Sequence, residues 1–173
     1  MLQSKKKSFN QIKIHSQYSI CEGALKIENL KEYCKKNKIQ SVGLSDTYNL
    51  SGALEFSENI SSVGTQPIIG SQVQFKFKNT YGIIPLIAKN YNGYKNIIEL
   101  SSKAYLENDD NDQPHCSIED LTKYSDGIIV LSGAINNLIG NMFNKGLFEE
   151  IGELITILNN NFKETFYLEI QRH

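Results

Sequence analysis

Two hydrophobic periods alternate along this chain, and that alternation constrains the fold more than any other feature. Residues 10–16, NQIKIHS, alternate polar and apolar, the period of a strand. Residues 26–38 then place Ile27, Leu30, Tyr33 and Cys34 on one helical face. A short strand at 39–46 ends in a carboxylate, and a helix at 50–61 turns Leu50, Ala53, Leu54 and Phe56 inward. Strand patterns follow at 66–77 and 81–89, with the turn KNT between them; Pro85 lacks a ladder N–H and points to an edge strand or a bulge. Beyond lie a helix at 93–106, an acidic, Asn-rich loop at 107–115, and a capping box, Ser117 with Asp120, opening 117–125. A buried strand at 126–134, two short helices within 136–160 joined near Asn144–Gly146, and a last strand at 165–173 complete the series.

Strands and helices in this order predict an α/β fold: a mainly parallel sheet with surrounding helices, or an incomplete barrel. In such folds functional residues collect at the C-terminal ends of strands. His15, Asp46, residues 132–134 and residues 171–173 fall at those positions.

At 173 residues the chain is one domain, or part of a larger one. Charge is balanced, with 18 Lys plus Arg against 19 Asp plus Glu, so bulk charge offers no general affinity for nucleic acid. Arg172 is the sole arginine, which argues against a phosphate-clamping surface, and the run SKKK at 4–7 reads as a solvated end. Cys21, Cys34 and Cys116 are odd in number and widely spaced, fitting a reduced compartment rather than a disulfide framework. No stretch approaches the roughly 18 apolar residues of a membrane span, and no secretory signal opens the chain, so a cytoplasmic protein without a membrane role is expected.

Six segments carry a resemblance: IKIHSQYSICEGALKI, VGLSDTYNLSGALEF, PIIGSQVQF, LIAKNYNGYKNIIELSSKAYL, DGIIVLSG and FYLEIQRH, in that order. Together they resemble the PHP (polymerase and histidinol phosphatase) domains that open the alpha subunits of bacterial replicative DNA polymerase III. The resemblance implies a distorted (β/α)7 barrel with a metal cluster at its C-terminal mouth. It also implies that residues 1–8 are an extension and that 9–173 are the first two-thirds of the domain, as in a truncated chain without the later barrel strands or the polymerase core. Metal ions in such a cluster polarise a phosphate ester and generate a hydroxide nucleophile.

Carried over position by position, the resemblance puts Lys13 where the family has the first His of an H-x-H pair, with His15 as the second. Glu22 replaces an Asp, and Thr47 replaces a His beside the retained Asp46. Gln72, Ile83 and Ala134 stand where Glu, His and Cys are expected. His15, Glu22 and Asp46 are the residual metal candidates. An ammonium repels a divalent ion, so Lys13 is expected to take over the cluster's charge against Glu22 and Asp46. No cofactor and no catalytic residue are expected. His115 and His173, the three cysteines, and Tyr91, Tyr94 and Tyr105 read as surface or packing residues. By resemblance the partners are the rest of the polymerase III alpha subunit and the proofreading exonuclease subunit, with DNA contacted only through the full-length polymerase. The family activity is DNA-directed nucleotidyl transfer, which this chain is not expected to perform alone. The competing reading, a metal-dependent phosphoesterase or 3′–5′ exonuclease, needs the ligand set that is missing here.

Overall fold

The computed structural model describes residues 9–108 and 113–170; the extension 1–8, residues 109–112, and Gln171, Arg172 and His173 lie outside the described residues. The elements, in order, are α1 (Ile27–Asn37), β1 (Ser41–Thr47), α2 (Ala53–Ser61), β2 (Gln66–Phe77), β3 (Thr80–Ala88), α3 (Tyr91–Leu106), β4 (Cys116–Ser117), α4 (Ile118–Lys123), β5 (Ile128–Leu131), α5 (Leu138–Asn144), α6 (Phe148–Phe162) and β6 (Phe166–Tyr167). One sheet runs β1-β2-β3-β5-β6, with β4 added against β2. Its ladders β1–β2, β2–β4 and β5–β6 are parallel, while β2–β3 and β3–β5 are antiparallel. Among the described residues β3 alone therefore runs against the others, and the sheet is mainly parallel, as the alternation predicts.

Helices cover the sheet over two cores. The larger joins Val73, Phe75, Ile84, Leu86 and Val130 to residues of α3, α4, α5 and α6. The smaller joins Val42 and Leu44 to Ile27, Leu30, Phe56 and Ile60 of α1 and α2. Side chains on a strand alternate faces, so Val42, Leu44 and Asp46 point to this helical layer while Ser45 and Thr47 point to the concave side. The helix ends are set locally. Asn90 accepts from Gly93 N at 2.9 Å to cap α3, and Ser117 and Asp120 close the predicted capping box.

Several details differ from the expectations. The segment 10–16 is not a regular strand. Ile14 bridges Leu44 in parallel and donates to Gly43 O at 3.0 Å, but Gly43 N turns to Gln11 O. That irregular crossing brings the Ile12 backbone against Gly43, where a Cβ would stand 2.4 Å from Ile12 O; only glycine permits it. Tyr33 and Leu54, expected inward, are 58% and 70% exposed, because Leu30 with Cys34 and Phe56 with Ile60 already fill the faces of α1 and α2. Pro85 lies in an interior strand, and it is tolerated there because the β3–β5 ladder covers only Leu86–Ala88. The two-residue β4 has no sequence pattern of its own. The last strand contributes only Phe166 and Tyr167 to its ladder.

Candidate functional site

The concave face carries a polar cluster where β1 ends. Thr47 and Gln72 are register partners across the β1–β2 ladder, and their side chains share that face. The segment that passes β1 at Ile14 sets His15 above them. Gln72 Nε2 lies 2.9 Å from His15 Nε2, so the amide donates to an unprotonated ring nitrogen. The other ring nitrogen, Nδ1, lies 3.0 Å from Ser19 Oγ, 3.4 Å from Glu22 Oε2 and 3.5 Å from Thr47 Oγ1. Thr47 Oγ1 donates to Glu22 Oε2 at 2.5 Å, and Thr47 N donates to Ser19 Oγ at 2.8 Å. The turn that supplies Ser19 and Glu22 is held by Ser19 N and Glu22 N donating to Ser16 O and Ser19 O.

The sequence-derived candidates separate into three groups. His15, Glu22, Thr47 and Gln72 meet in one network. Asp46 does not join it. Asp46 is 1% exposed, points to the helical layer, and accepts from Ser16 N at 2.6 Å and Ser16 Oγ at 2.7 Å. Its task is to anchor the turn that presents His15. The third group supplies no donor: Ile83 is half-buried opposite Gln74, and Ala134 is half-buried in the loop after β5.

Lys13 was expected to neutralise Glu22 and Asp46, and it does neither. Its ammonium pairs with Glu169, 156 residues away, with both side chains mostly buried. Lys13 sits two residues before His15 on the first extended segment, and Glu169 follows β6. The pair therefore ties one margin of the curled sheet to the other. Nothing in the sequence marked Glu169 beyond a lone carboxylate among apolar neighbours, and Ser19 carried no signal at all.

Beside this cluster Tyr48 adopts φ 63°, a left-handed conformation unusual for a bulky residue. Tyr48 N donates to Gln72 O at 2.8 Å and Tyr48 OH donates to Gln74 Oε1 at 2.7 Å, bonds that hold it there. Burial, then the nearby Glu22 charge and Tyr105, raise its phenol above the ordinary value.

These donors do not fit a metal cluster. Bridged divalent ions need several imidazoles and carboxylates converging on one point. Among the described residues no group of three or more His, Cys, Asp and Glu converges in that way. One imidazole remains, its Nε2 occupied by an amide, with a single carboxylate near its Nδ1.

Among the described residues no helix is long and apolar enough to cross a membrane. The profile of the PHP domain family matches residues 11–173. DNA polymerase III subunit alpha of Borreliella burgdorferi is 36% identical over 177 residues, covering 95% of this chain and 15% of that protein. The corresponding subunit of Caulobacter vibrioides is 32% identical over 178 residues, with the same coverage of 95% and 15%. The chain thus spans about one-seventh of the length of these relatives. Among solved structures, a Bifidobacterium adolescentis protein assigned as a metal-dependent phosphoesterase superposes with TM-score 0.52 at 11% identity, covering 88% of this chain and 83% of that one. An amidohydrolase from Chromobacterium violaceum gives TM-score 0.52 at 9% identity, covering 93% and 85%. At those identities the likeness is one of fold. The chain belongs to the PHP domain family, and its sequence is similar to the DNA polymerase III alpha subunits within it.

Proposed function

We propose that this chain is a structural and partner-binding PHP module of the DNA polymerase III alpha type, with a hydrogen-bonded network in place of the metal cluster. Residues 9–173 form the first part of the domain. In a full-length polymerase the module supports templated DNA synthesis in the bacterial cytoplasm by packing against the polymerase core and holding the proofreading exonuclease subunit. It performs no hydrolysis itself.

The bond between Gln72 and His15 Nε2 carries this reading. In an H-x-H metal site both imidazoles direct a lone pair at an ion. Here the surviving imidazole directs its lone pair at an amide, and the position of its companion is a lysine whose ammonium is engaged with Glu169. Removing the ions from a carboxylate-rich site would leave repelling charges. Glutamine, threonine, isoleucine and alanine at the neighbouring positions leave few charges to compensate.

The test is elemental analysis after incubation with excess Mn²⁺ or Zn²⁺ and desalting, together with hydrolysis of p-nitrophenyl phosphate and of a labelled oligonucleotide. The expected result is no stoichiometric metal and no turnover above background. Retention of about one ion per chain together with metal-dependent hydrolysis that His15→Ala abolishes would establish the phosphoesterase reading instead.

A further inference from the structure

The helical layer has a gap over the β1–β2–β3 part of the sheet. α2 follows β1 and crosses to the parallel β2, but a hairpin joins β2 to β3, so no helix enters the layer between those two strands. α1 packs beside α2, and α2 and α3 both pack on β2, yet α2 and α3 share no extended contact. Helices that adjoin in a layer sit about 8–10 Å apart with their ridges interlocked. Here a groove of about 250 Å³ separates them. Ile69 of β2 forms its floor, Ala53, Leu54 and Ser57 one wall, and Tyr91 and Tyr94 the other. In sequence all six are distant from the undescribed segments.

The walls are apolar beyond what the core requires. α3 already buries Gly93, Ile97, Leu100 and Ala104 against the sheet. Tyr91, Tyr94 and Ile98, at i, i+3 and i+7, form a second stripe beside that one, with Tyr91 72% and Ile98 37% exposed. Leu54 faces them across the groove at 70% exposure. Each lip carries one charge. Glu58 stands one turn beyond Leu54 on α2, and Lys95 one turn beyond Tyr91 on α3, its ammonium 5.2 Å from the Tyr91 ring centroid. Among the described residues neither Glu58 nor Lys95 makes an ion pair.

We propose that this groove receives an amphipathic helix of a partner protein. The proposal rests on the partner-binding reading above and assigns it a surface. A strand has nothing to pair with here, because β2 is already bonded to β1 and β3. A helix completes the layer: its apolar residues at i, i+3, i+4 and i+7 fill the groove and cover Leu54, Tyr91 and Ile98. The partner's flank beside α2 carries Lys or Arg against Glu58, and its flank beside α3 carries Asp or Glu against Lys95. Exposed tyrosines suit such a contact, since they add large area at small conformational cost.

The probe is a synthetic helical peptide with leucine at i, i+3, i+4 and i+7, lysine on one flank and glutamate on the other, titrated into the isotope-labelled 173-residue chain. Saturable binding is expected, with amide shifts grouped on α2 and α3. Leu54→Glu and Tyr91→Ala are each expected to weaken it by about tenfold or more, while Tyr33→Ala, on the exposed side of α1, leaves it unchanged. Circular dichroism confirms that each variant folds. Lys95→Glu makes both lips acidic, so a peptide with lysine on both flanks binds that variant more tightly than it binds the parent. The proposal is overturned by absence of saturable binding, by shifts centred elsewhere, by equal binding of a peptide with its leucines scrambled off the helical period, by an equal loss with Tyr33→Ala, or by no gain from the charge change. A dimer of the chain that Leu54→Glu dissolves overturns it too, because a second copy is then the occupant. Metal retention with hydrolysis would overturn the partner-binding reading and leave these titrations as they are, so the two failures are distinguishable.

Discussion

At the end of the sheet where β1 stops, the inward side chains are His15, Thr47 and Gln72, each hydrogen-bonded to another residue of the chain. At the opposite end they are Ile12, Ile68, Ile87 and Ile129, around an open cleft of about 620 Å³. At the polar end these three side chains are bonded within the chain, as buried polar groups are costly unless partnered, although the buried Ser45 Oγ on the same face has no partner among the described residues. The apolar end has no such requirement and stays open, since a hydrophobic surface accepts any apolar cover of suitable shape. The first region is bonded to itself, and the second presents an open apolar surface. The Lys13–Glu169 pair, at the margins of the sheet, joins the two.

The largest expected effect comes from cutting the polar region's anchor. Asp46→Ala leaves Ser16 N–H and Oγ, both in a residue 1% exposed, without their acceptor. A loss of about 3 kcal/mol in urea melts is expected, with release of the turn carrying His15. A loss below roughly 1 kcal/mol would mean that the turn is held by its own backbone bonds and that the polar end is less constrained than its geometry implies.

Next comes the tie between the margins. Lys13→Met removes the ammonium that pairs with Glu169 and is expected to cost roughly 1–3 kcal/mol. Because both side chains are mostly buried, the cost should change little in high salt. A neutral or stabilising outcome in the same melts would show that the margins are held by packing alone, and the contrast between the two ends would then need no electrostatic link.

The smallest effect lies on the helical layer, away from both ends, and gives the scale for the others. Burial by itself would raise the Asp120 carboxyl, but hydrogen bonds from the Ser117 amide and hydroxyl, with Lys103, outweigh it and hold the group below the usual carboxylate range. A folded-state value below the unfolded one contributes stability above about pH 4, and this is lost as pH falls through the folded value. Asp120→Ala is expected to cost about 1 kcal/mol near neutral pH, with the difference from the parent shrinking under acid. A pH-independent difference would assign the whole effect to helix propensity.

Much of the architecture was legible because it is local. The strands at 66–77 and 81–89, the KNT turn, the Ser117–Asp120 box and the buried strand expected at 126–134, found at Ile128–Leu131, depend on neighbours within a few residues and recur in the structure, whereas 10–16 forms no regular strand. The site was legible only in part. That His15, Glu22, Thr47 and Gln72 belong together follows from aligned motifs, and the structure brings them into one network. The partner of Lys13 was not legible, because a charge takes whichever opposite charge the fold delivers, and Glu169 arrives from the far margin of the sheet. Asp46 was misassigned for a different reason. Strand parity sends it to the opposite face from Thr47, and parity discriminates only once the concave side of the sheet is known. The sequence by itself determined the order of elements and the residue types at each family position. The tertiary structure decided which face each side chain meets, because the curl of the sheet sets partners across separations that no local pattern records.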